Sequence, residues 1–314
     1  MGTTTTKIAD VIDRDALGQI VTATFTDKSV LVASGVVSVD ENSEIKKGGQ
    51  KLLIPRTKLG FGTWQAMSET SPIELRKMEL ESEYGVVVRR ADGVAILETA
   101  QMVAGDMIDL MNEAGRQVSE AVGQNVDSTL LKVLAGAVPS ANIVTQKSGN
   151  LAVSDFSYLR AKLGDQYDKI ALYVIHSKQF FDLELANAVT YFAATDVFPG
   201  SKLTGMIPTI GGKPVYVTDK VPAGTSPTTY RAFALGKNSM YLGYQSSGVQ
   251  IRTDEDATQF EDILTYSLHF VPHLLGMSWN STGMPSDANL IDTTKWSLVA
   301  PSAKLVPATS IITL

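Results

Sequence analysis

Residues 104–137, AGDMIDLMNEAGRQVSEAVGQNVDSTLLKVLAGA, carry the strongest periodicity in the chain. Met107, Leu110, Met111, Ala114, Val118, Ala121, Val122, Val126, Leu130 and Val133 recur at three- and four-residue steps. Asp109, Asn112, Glu113, Arg116, Gln117, Glu120, Gln124 and Asp127 take the other face. The spacing predicts an amphipathic helix. Asp106 can cap it by accepting from the orphan amides of the first turn. From Asp106 to Lys132 the helix spans roughly 40 Å at 1.5 Å per residue. Gly115 and Gly123 each cost about 1 kcal/mol against Ala, tolerable where backbone or a bulky side chain comes close. LAGAVPSAN ends it.

Upstream, residues 1–45 read as an arm. Short apolar runs (QIVTATF, SVLVASGVVSV) are broken by Asp, Lys and Gly, and no amphipathic helix persists. Such a segment lies over something else. Residues 46–82 carry a Gly pair, Pro55, Gly60, Gly62 and Pro72. QKLLIPRTK reads as an extended strand, demoted by Pro55 to an edge or irregular position. In IELRKMELESEYGVVVRR no 3.6 period is sustained, and its end is β-like. We read a long two-stranded excursion with irregular backbone at its Gly-rich tip. An isolated hairpin is at best marginally stable in water, so this one docks elsewhere, with a neighbouring subunit as a candidate.

Downstream of about 151 the pattern is α/β. Ser154 is placed to cap a helix through FSYLRAKLG; KIALYVIHS reads as a buried strand and SKQFFDLELANAV as a second helix. In IPTIGGKPVYVTDKVP the Gly-Gly pair reads as a hairpin turn. YRAFALGKNSMYLGY and VQIRTDED are strand candidates, and EDILTYSLHFVPHLLGMSW is a long strand-like run. The last 35 or so residues, with Pro285, Pro301 and Pro307, read as an extended tail that either folds back as an additional strand or reaches a neighbour.

The sequence lacks cysteine, which removes disulfides, thiolate metal sites and cysteine nucleophiles together. Charged residues make up 19% against a usual 25% or so, and such a balance fits a surface partly hidden between subunits. The net charge of −6 does not give the whole chain the basic footprint of a dedicated nucleic-acid binder. Lys46, Lys47, Lys51, Arg56 and Lys58 do gather in the excursion, with Arg89 and Arg90 at its return. They can be solvated, pair with acidic surface on a neighbour, or face nucleic acid. No apolar run is long enough to span a membrane, and no secretory signal opens the chain. MGTTTT fits only a loose myristoylation pattern.

Catalytic constellations are weak. His269 and His273 invite a metal reading, as in a metal-dependent hydrolase. A zincin pair needs one helical face and a Glu, whereas Pro272 breaks a helix and no Glu intervenes. On a strand the two lie about 13 Å apart, and one zinc cannot reach both at about 2.1 Å. Ordinary packed or interface histidines are the simpler account. His176 and Ser177 are adjacent and lack a G-x-S-x-G elbow, and SEIK (Ser43–Lys46) lacks companion motifs. Asp254, Asp256 and Thr258 resemble a calcium loop without its Gly and Glu, so a solvated turn is expected. LGFGTW lacks the third Gly of a dinucleotide fingerprint. No catalytic, cofactor-binding or metal residues are assigned, and no enzyme activity or cofactor is expected.

The succession of features is similar to a tailed-bacteriophage major capsid protein of the Hong Kong 97-type fold, from about Gly48 to Trp279. It rests on the extended loop leading into VVVRRADGV, the helix ending LLKVLAGA, the α/β stretch opening at SDFSYLRAKLG, IPTIGGKPVYVTDKVP, and the closing strand run to GMSW. The resemblance implies an α+β fold with an N-terminal arm (1–45) and an E-loop (46–82). A peripheral domain would hold a spine helix (83–150) and return strands (246–280). An axial domain (151–245) and a C-terminal extension (281–314) would complete it. It implies a homo-oligomer of pentamers and hexamers in an icosahedral shell around double-stranded DNA, held by non-specific contact, with no membrane involved. Portal, scaffolding or decoration proteins are implied as further partners. The virion is the implied location, after assembly in the host cytoplasm. A scaffolding segment has no counterpart before Gly48, and no E-loop Lys can be matched to an Asn, so no crosslink is expected. The nearest alternatives are an encapsulin-like compartment, another virion component such as a tail protein, and, from a different class, the His269/His273 hydrolase.

Overall fold

A computed structural model of the protein describes residues 21–22, 28–41, 45, 51–57, 80–97, 107–147, 149–193, 206–225, 228–245, 247–256 and 261–314. Asp106, the tip of the excursion, LGFGTW and most of SEIK lie outside them.

The arm supplies a four-residue helix, α1 (Val30–Ala33), capped by Ser29, and a strand, β1 (Val37–Asp40). The excursion supplies β2 (Lys51–Thr57) and β3 (Leu80–Val86), paired antiparallel from Lys51–Val86 to Thr57–Leu80. Both strands of such a ribbon are edges, where Pro55 is tolerated. After β4 (Val88–Leu97) comes α2 (Met107–Ala137), 31 residues long. It outruns the expected stripe because Leu134, Ala135 and Ala137 are buried as well. Arg231 Nη1 donates to Ala135 O at 2.6 Å, satisfying one of the carbonyls a helix end leaves open.

The α/β stretch holds β5 (Ile143–Lys147), α3 (Val153–Leu163), β6 (Ile170–Ile175), α4 (Ser177–Leu185), β7 (Thr190–Ala193), β8 (Met206–Ile210), β9 (Lys213–Val217), β10 (Gly224–Thr225) and β11 (Thr228–Gly236). The expected Ser154 cap is two residues off: α3 begins at Val153, with Ala152 at the N-cap position. The first turn is instead held by Asp155, whose carboxylate accepts from Ala152 N–H at 2.8 Å. Gly211 and Gly212, with φ of 58° and 75°, make the turn between β8 and β9, the two left-handed residues that a tight primed hairpin requires.

The chain then crosses back through β12 (Met240–Tyr244), β13 (Gln250–Asp256), β14 (Glu261–Leu274) and β15 (Met277–Trp279). It closes with α5 (Asp287–Ile291), β16 (Trp296–Leu298) and β17 (Ala308–Thr313). The closing residues take the first of the two courses open to them and fold back as an additional strand. β17 lies between β5 and β11, inside an eight-stranded sheet ordered β5-β17-β11-β6-β9-β8-β7, with β10 beside β11. A second sheet runs β1-β12-β14-β13, with β4 on the other edge of β14. VQIRTDED supplies β13 as a strand, with Arg252–Asp256 paired to Glu261–Thr265, so Asp254 and Asp256 lie in ladder and not in the expected turn, while Thr258 lies outside the described residues.

α2 joins the two sheets. Val118, Val122, Val126 and Leu130 share one core with Leu264, Leu268, Phe270 and Leu274 of β14. Leu172, Val174, Phe233 and Leu235 of the larger sheet belong to that same core. The alternate residues Tyr173, Ile175, Ala232 and Ala234 face a second core, with Phe156, Leu159 and Leu163 of α3 and Phe180 and Leu183 of α4. β6 and β11 are therefore covered on both faces, which is why they read as continuous apolar runs. Each fully buried Leu, Val or Phe contributes roughly 1.5–3 kcal/mol.

Candidate functional site

The densest polar arrangement lies where the β2–β3 ribbon meets the body. Along β3 the side chains alternate, so Glu83 and Gly85 turn inward while Ser82 and Tyr84 face solvent. Glu83 is fully buried and holds three elements together. Its Oε1 accepts from Arg56 Nη1 of β2 at 2.9 Å. Its Oε2 lies 3.2 Å from His273 Nε2 and accepts from Gly276 N–H at 2.9 Å. Burial pushes the Glu83 carboxyl up, but the hydrogen bonds from His273, Gly276 and Arg56 outweigh it and hold the carboxyl below its usual range. The His273 ring lies 6.2 Å from that of Trp296, which meets Trp279 edge-on at 5.0 Å.

His269 and His273 share one face of β14, but their surroundings differ. His269 sits half-buried opposite Arg89, and burial first, then that cation, pull its pKa down. His273 is fully enclosed. The β4 ladder ends at Phe270, so Pro272 falls where β14 is paired along one edge only. Among the described residues no three metal-capable side chains converge. His176 Nδ1 accepts from Lys178 N–H at the start of α4, and Ser177 Oγ donates to Asp219. The serine proton is therefore directed to a carboxylate and not to the imidazole. Asn280 is exposed.

A second buried carboxylate escapes sequence reasoning. The periodicity places Asp127 on the polar face of α2, yet it is 2% exposed, because the Ser29–Leu31 segment covers it. Ser29 Oγ donates to Oδ1 at 2.5 Å and Val30 N–H to Oδ2 at 3.0 Å. Burial raises its pKa to about 6 against these bonds and the charge of Lys220. Burial, then the Asp127 charge, push Tyr216 up to about 12. The signal for Asp127 lay in no local motif. It needs the arm to fold across the helix.

Of the basic residues noted above, Arg56 turns inward to Glu83 and Arg90 bonds Asp287 at 2.5 Å. Lys51 lies 5.9 Å from the Tyr84 ring centroid. Large apolar side chains stay exposed in two places. Leu53 and Tyr84 are a cross-strand pair on the outer face of the ribbon. Phe181, Leu185, Tyr191, Phe192 and Met206 cluster in sequence around α4, β7 and β8, with Leu185 84% exposed.

Among the described residues no metal-ligating cluster comes together; what the geometry gives is a two-stranded ribbon fastened at its base by buried charge and large apolar side chains left bare on the surface. The sequence pattern described as "Gp13-like: Major capsid protein 13-like" matches residues 69–308, and the chain belongs to that family. It is thus a major capsid protein, a structural component of the phage virion that assembles into multimeric shells. Solved structures agree on the fold. The capsid of Ralstonia phage GP4 matches with a TM-score of 0.60 at 9% identity, covering 99% of this chain and 94% of that one. The capsid of cyanophage P-SCSP1u matches at 0.53 and 11% identity, covering 89% and 86%. The holo-SrpI encapsulin complex from Synechococcus elongatus PCC 7942 matches at 0.53 and 11%, covering 83% and 81%. A comparison with curated protein sequences finds no match. No helix among the described residues is long and apolar enough to cross a membrane.

Proposed function

We propose that this coat protein builds an icosahedral shell from pentamers and hexamers around the double-stranded DNA of a tailed phage, without catalytic activity of its own. In this reading residues 1–45 are the N-arm and 46–82 the E-loop that crosses a neighbouring subunit. Residues 83–150 and 246–280 form the peripheral domain, and 151–245 the axial domain, to which the C-terminal extension, 281–314, lends β17. The genome is held by non-specific contact, and portal, scaffolding or decoration proteins join at the shell.

The observation that carries the reading is the exposed apolar surface at α4, β7 and β8. A lone soluble protein rarely leaves several large side chains bare in one region. Phe181 and Leu185, one helical turn apart, would pack against the adjacent copy around a five- or six-fold axis. Electron microscopy of the expressed protein tests this: closed shells are expected. The double variant Phe181→Ser, Leu185→Ser should stay folded but unassembled. Nuclease-protected DNA in particles from infected cells separates a genome shell from an encapsulin-like compartment. Particles that hold only protein cargo would sink the genome reading.

A further inference from the structure

We infer that the free edge of β4 pairs with the same edge of a second copy of this chain, antiparallel across a two-fold axis, with Ala91 opposite Ala91. The inference rests on the shell reading and adds a specific contact to it. Among the described residues β4 pairs with β14 alone. Arg89 and residues 91–95 are exposed, on both faces of the sheet, and Val94 is 53% exposed. A ten-residue strand with one edge open is a template for another strand unless proline, lysine or repelling charge protects it. Residues 91–97, ADGVAIL, carry neither proline nor lysine. β13, by contrast, ends in Asp254, Glu255 and Asp256, a run that repels its own copy.

The occupant and the register follow from the order of charges. In an antiparallel pair related by a two-fold axis perpendicular to the sheet, facing residues have the same parity, because side chains alternate between faces. Five such registers, centred on residues 90 to 94, bring parts of 89–95 together, and those centred on 93 and 94 set Asp92 opposite Val94 or Ile96, without a charged partner. Centring on residue 90 sets Arg90 against itself, and centring on 92 sets Asp92 against itself. Centring on Ala91 sets Arg90 opposite Asp92 twice, once on each side of the axis, and sets Arg89 opposite Gly93, which has no side chain to obstruct it. Opposite charges facing across strands stabilise and like charges destabilise. Both charged groups keep capacity for this contact. Arg90 Nη2 holds Asp287 and its Nη1 the Arg89 carbonyl, but a guanidinium has five donors. Asp92 accepts from Gly93 N–H at 2.8 Å and Tyr266 OH at 3.3 Å, which leaves lone pairs free. A contact in which the same surface meets itself is the isologous kind that two-fold symmetry generates.

The test uses the full chain, which contains no cysteine, so that a single introduced thiol reports one contact. Ala91→Cys places two thiols directly opposite each other, within the Cα separation that a disulfide accepts. Mild oxidation of assembled particles should then give mostly covalent dimers on a non-reducing gel. Ala95→Cys, displaced from its own copy in this register, should stay monomeric. Adding Asp92→Lys to Ala91→Cys sets Lys against Arg90 and should cut the dimer yield severalfold. Normal particles whose Ala91→Cys subunits remain monomeric overturn the inference, as does equal linking through Ala95→Cys. If no particles form, the shell reading falls, and crosslinking of the unassembled Ala91→Cys protein still decides the strand pairing.

Discussion

Glu83 Oε2 lies 3.2 Å from His273 Nε2, with both side chains fully withdrawn from solvent. The contact fastens a ribbon that has no core of its own to the long strand of the smaller sheet. Arg56 and Gly276 complete the grip, so the base of the ribbon is tied to the body at β14 and the turn that follows it.

Glu83→Ala removes the acceptor from three donors at once. Breaking a buried charged arrangement from one side costs about 3–5 kcal/mol. Glu83→Gln, nearly the same shape, should cost less, since its carbonyl still accepts from Gly276 N–H. Thermal unfolding of the two variants measures the difference, and an alanine variant within about 0.5 kcal/mol of the parent would remove this role from Glu83. The pH sign follows from the lowered pKa. The charged carboxylate stabilises the fold above the unfolded value of 4.5, and that contribution is lost as pH falls below it.

Asp127 titrates with the opposite sign. Its pKa rises from 3.8 to about 6, so the folded state holds the proton more tightly than the unfolded chain. Stability from this group is greatest below 3.8 and is lost as pH rises through about 6. The rise is worth at most about 3 kcal/mol. Asp127→Asn keeps an acceptor for Val30 N–H without the buried charge. We expect it to be as stable as the parent or more so at pH 8, and to flatten the stability profile between about pH 4 and 6.5. Urea unfolding across that range checks it, and an unchanged slope would show that Asp127 is not the group responsible.

Much of this framework is legible in the linear sequence because it depends on local periodicity. The stripe from Val118 to Val133 finds α2, the apolar run KIALYVI finds β6, and Gly211-Gly212 finds its hairpin. What the sequence does not show depends on distant segments meeting. Asp127 looks solvated until Ser29 and Val30 cover it, and Glu83 is one of several acidic residues in a polar stretch until His273 arrives from the other end of the chain. The place of β17 inside the sheet is hidden for a related reason: its partners β5 and β11 lie far away in the chain, and the sequence leaves open whether the tail folds back or reaches a neighbour.

Gly136→Ala sets two effects against each other. Alanine favours a helix over glycine by about 1 kcal/mol. At this position, however, a Cβ would fall 2.1 Å from Leu290 O and 2.9 Å from Ile291 C of α5. Backbone does not yield as a side-chain end would, and overpacking costs about 1–3 kcal/mol. The substitution should therefore lower the unfolding midpoint. A raised midpoint would mean that α5 shifts freely.

Deleting residues 307–314 removes β17, with Ala308, Thr309 and Ser310 buried and Ile311 and Thr313 at most 1% exposed. Two strands, β5 and β11, then lose their shared neighbour. We expect an insoluble or unfolded chain. A soluble truncated protein with cooperative unfolding would show that the segment is dispensable.

The place of β17 in the larger sheet also sets an order of events during synthesis. β5, β6 and β11 leave the ribosome well before the strand that must lie between two of them, so that sheet cannot close until β17 has been made. A chain broken off early therefore exposes a gap in its sheet and has no finished lobe to offer a growing shell. Completion of the larger sheet is thus tied to the last strand that joins it, and no shorter chain can present both of its faces finished.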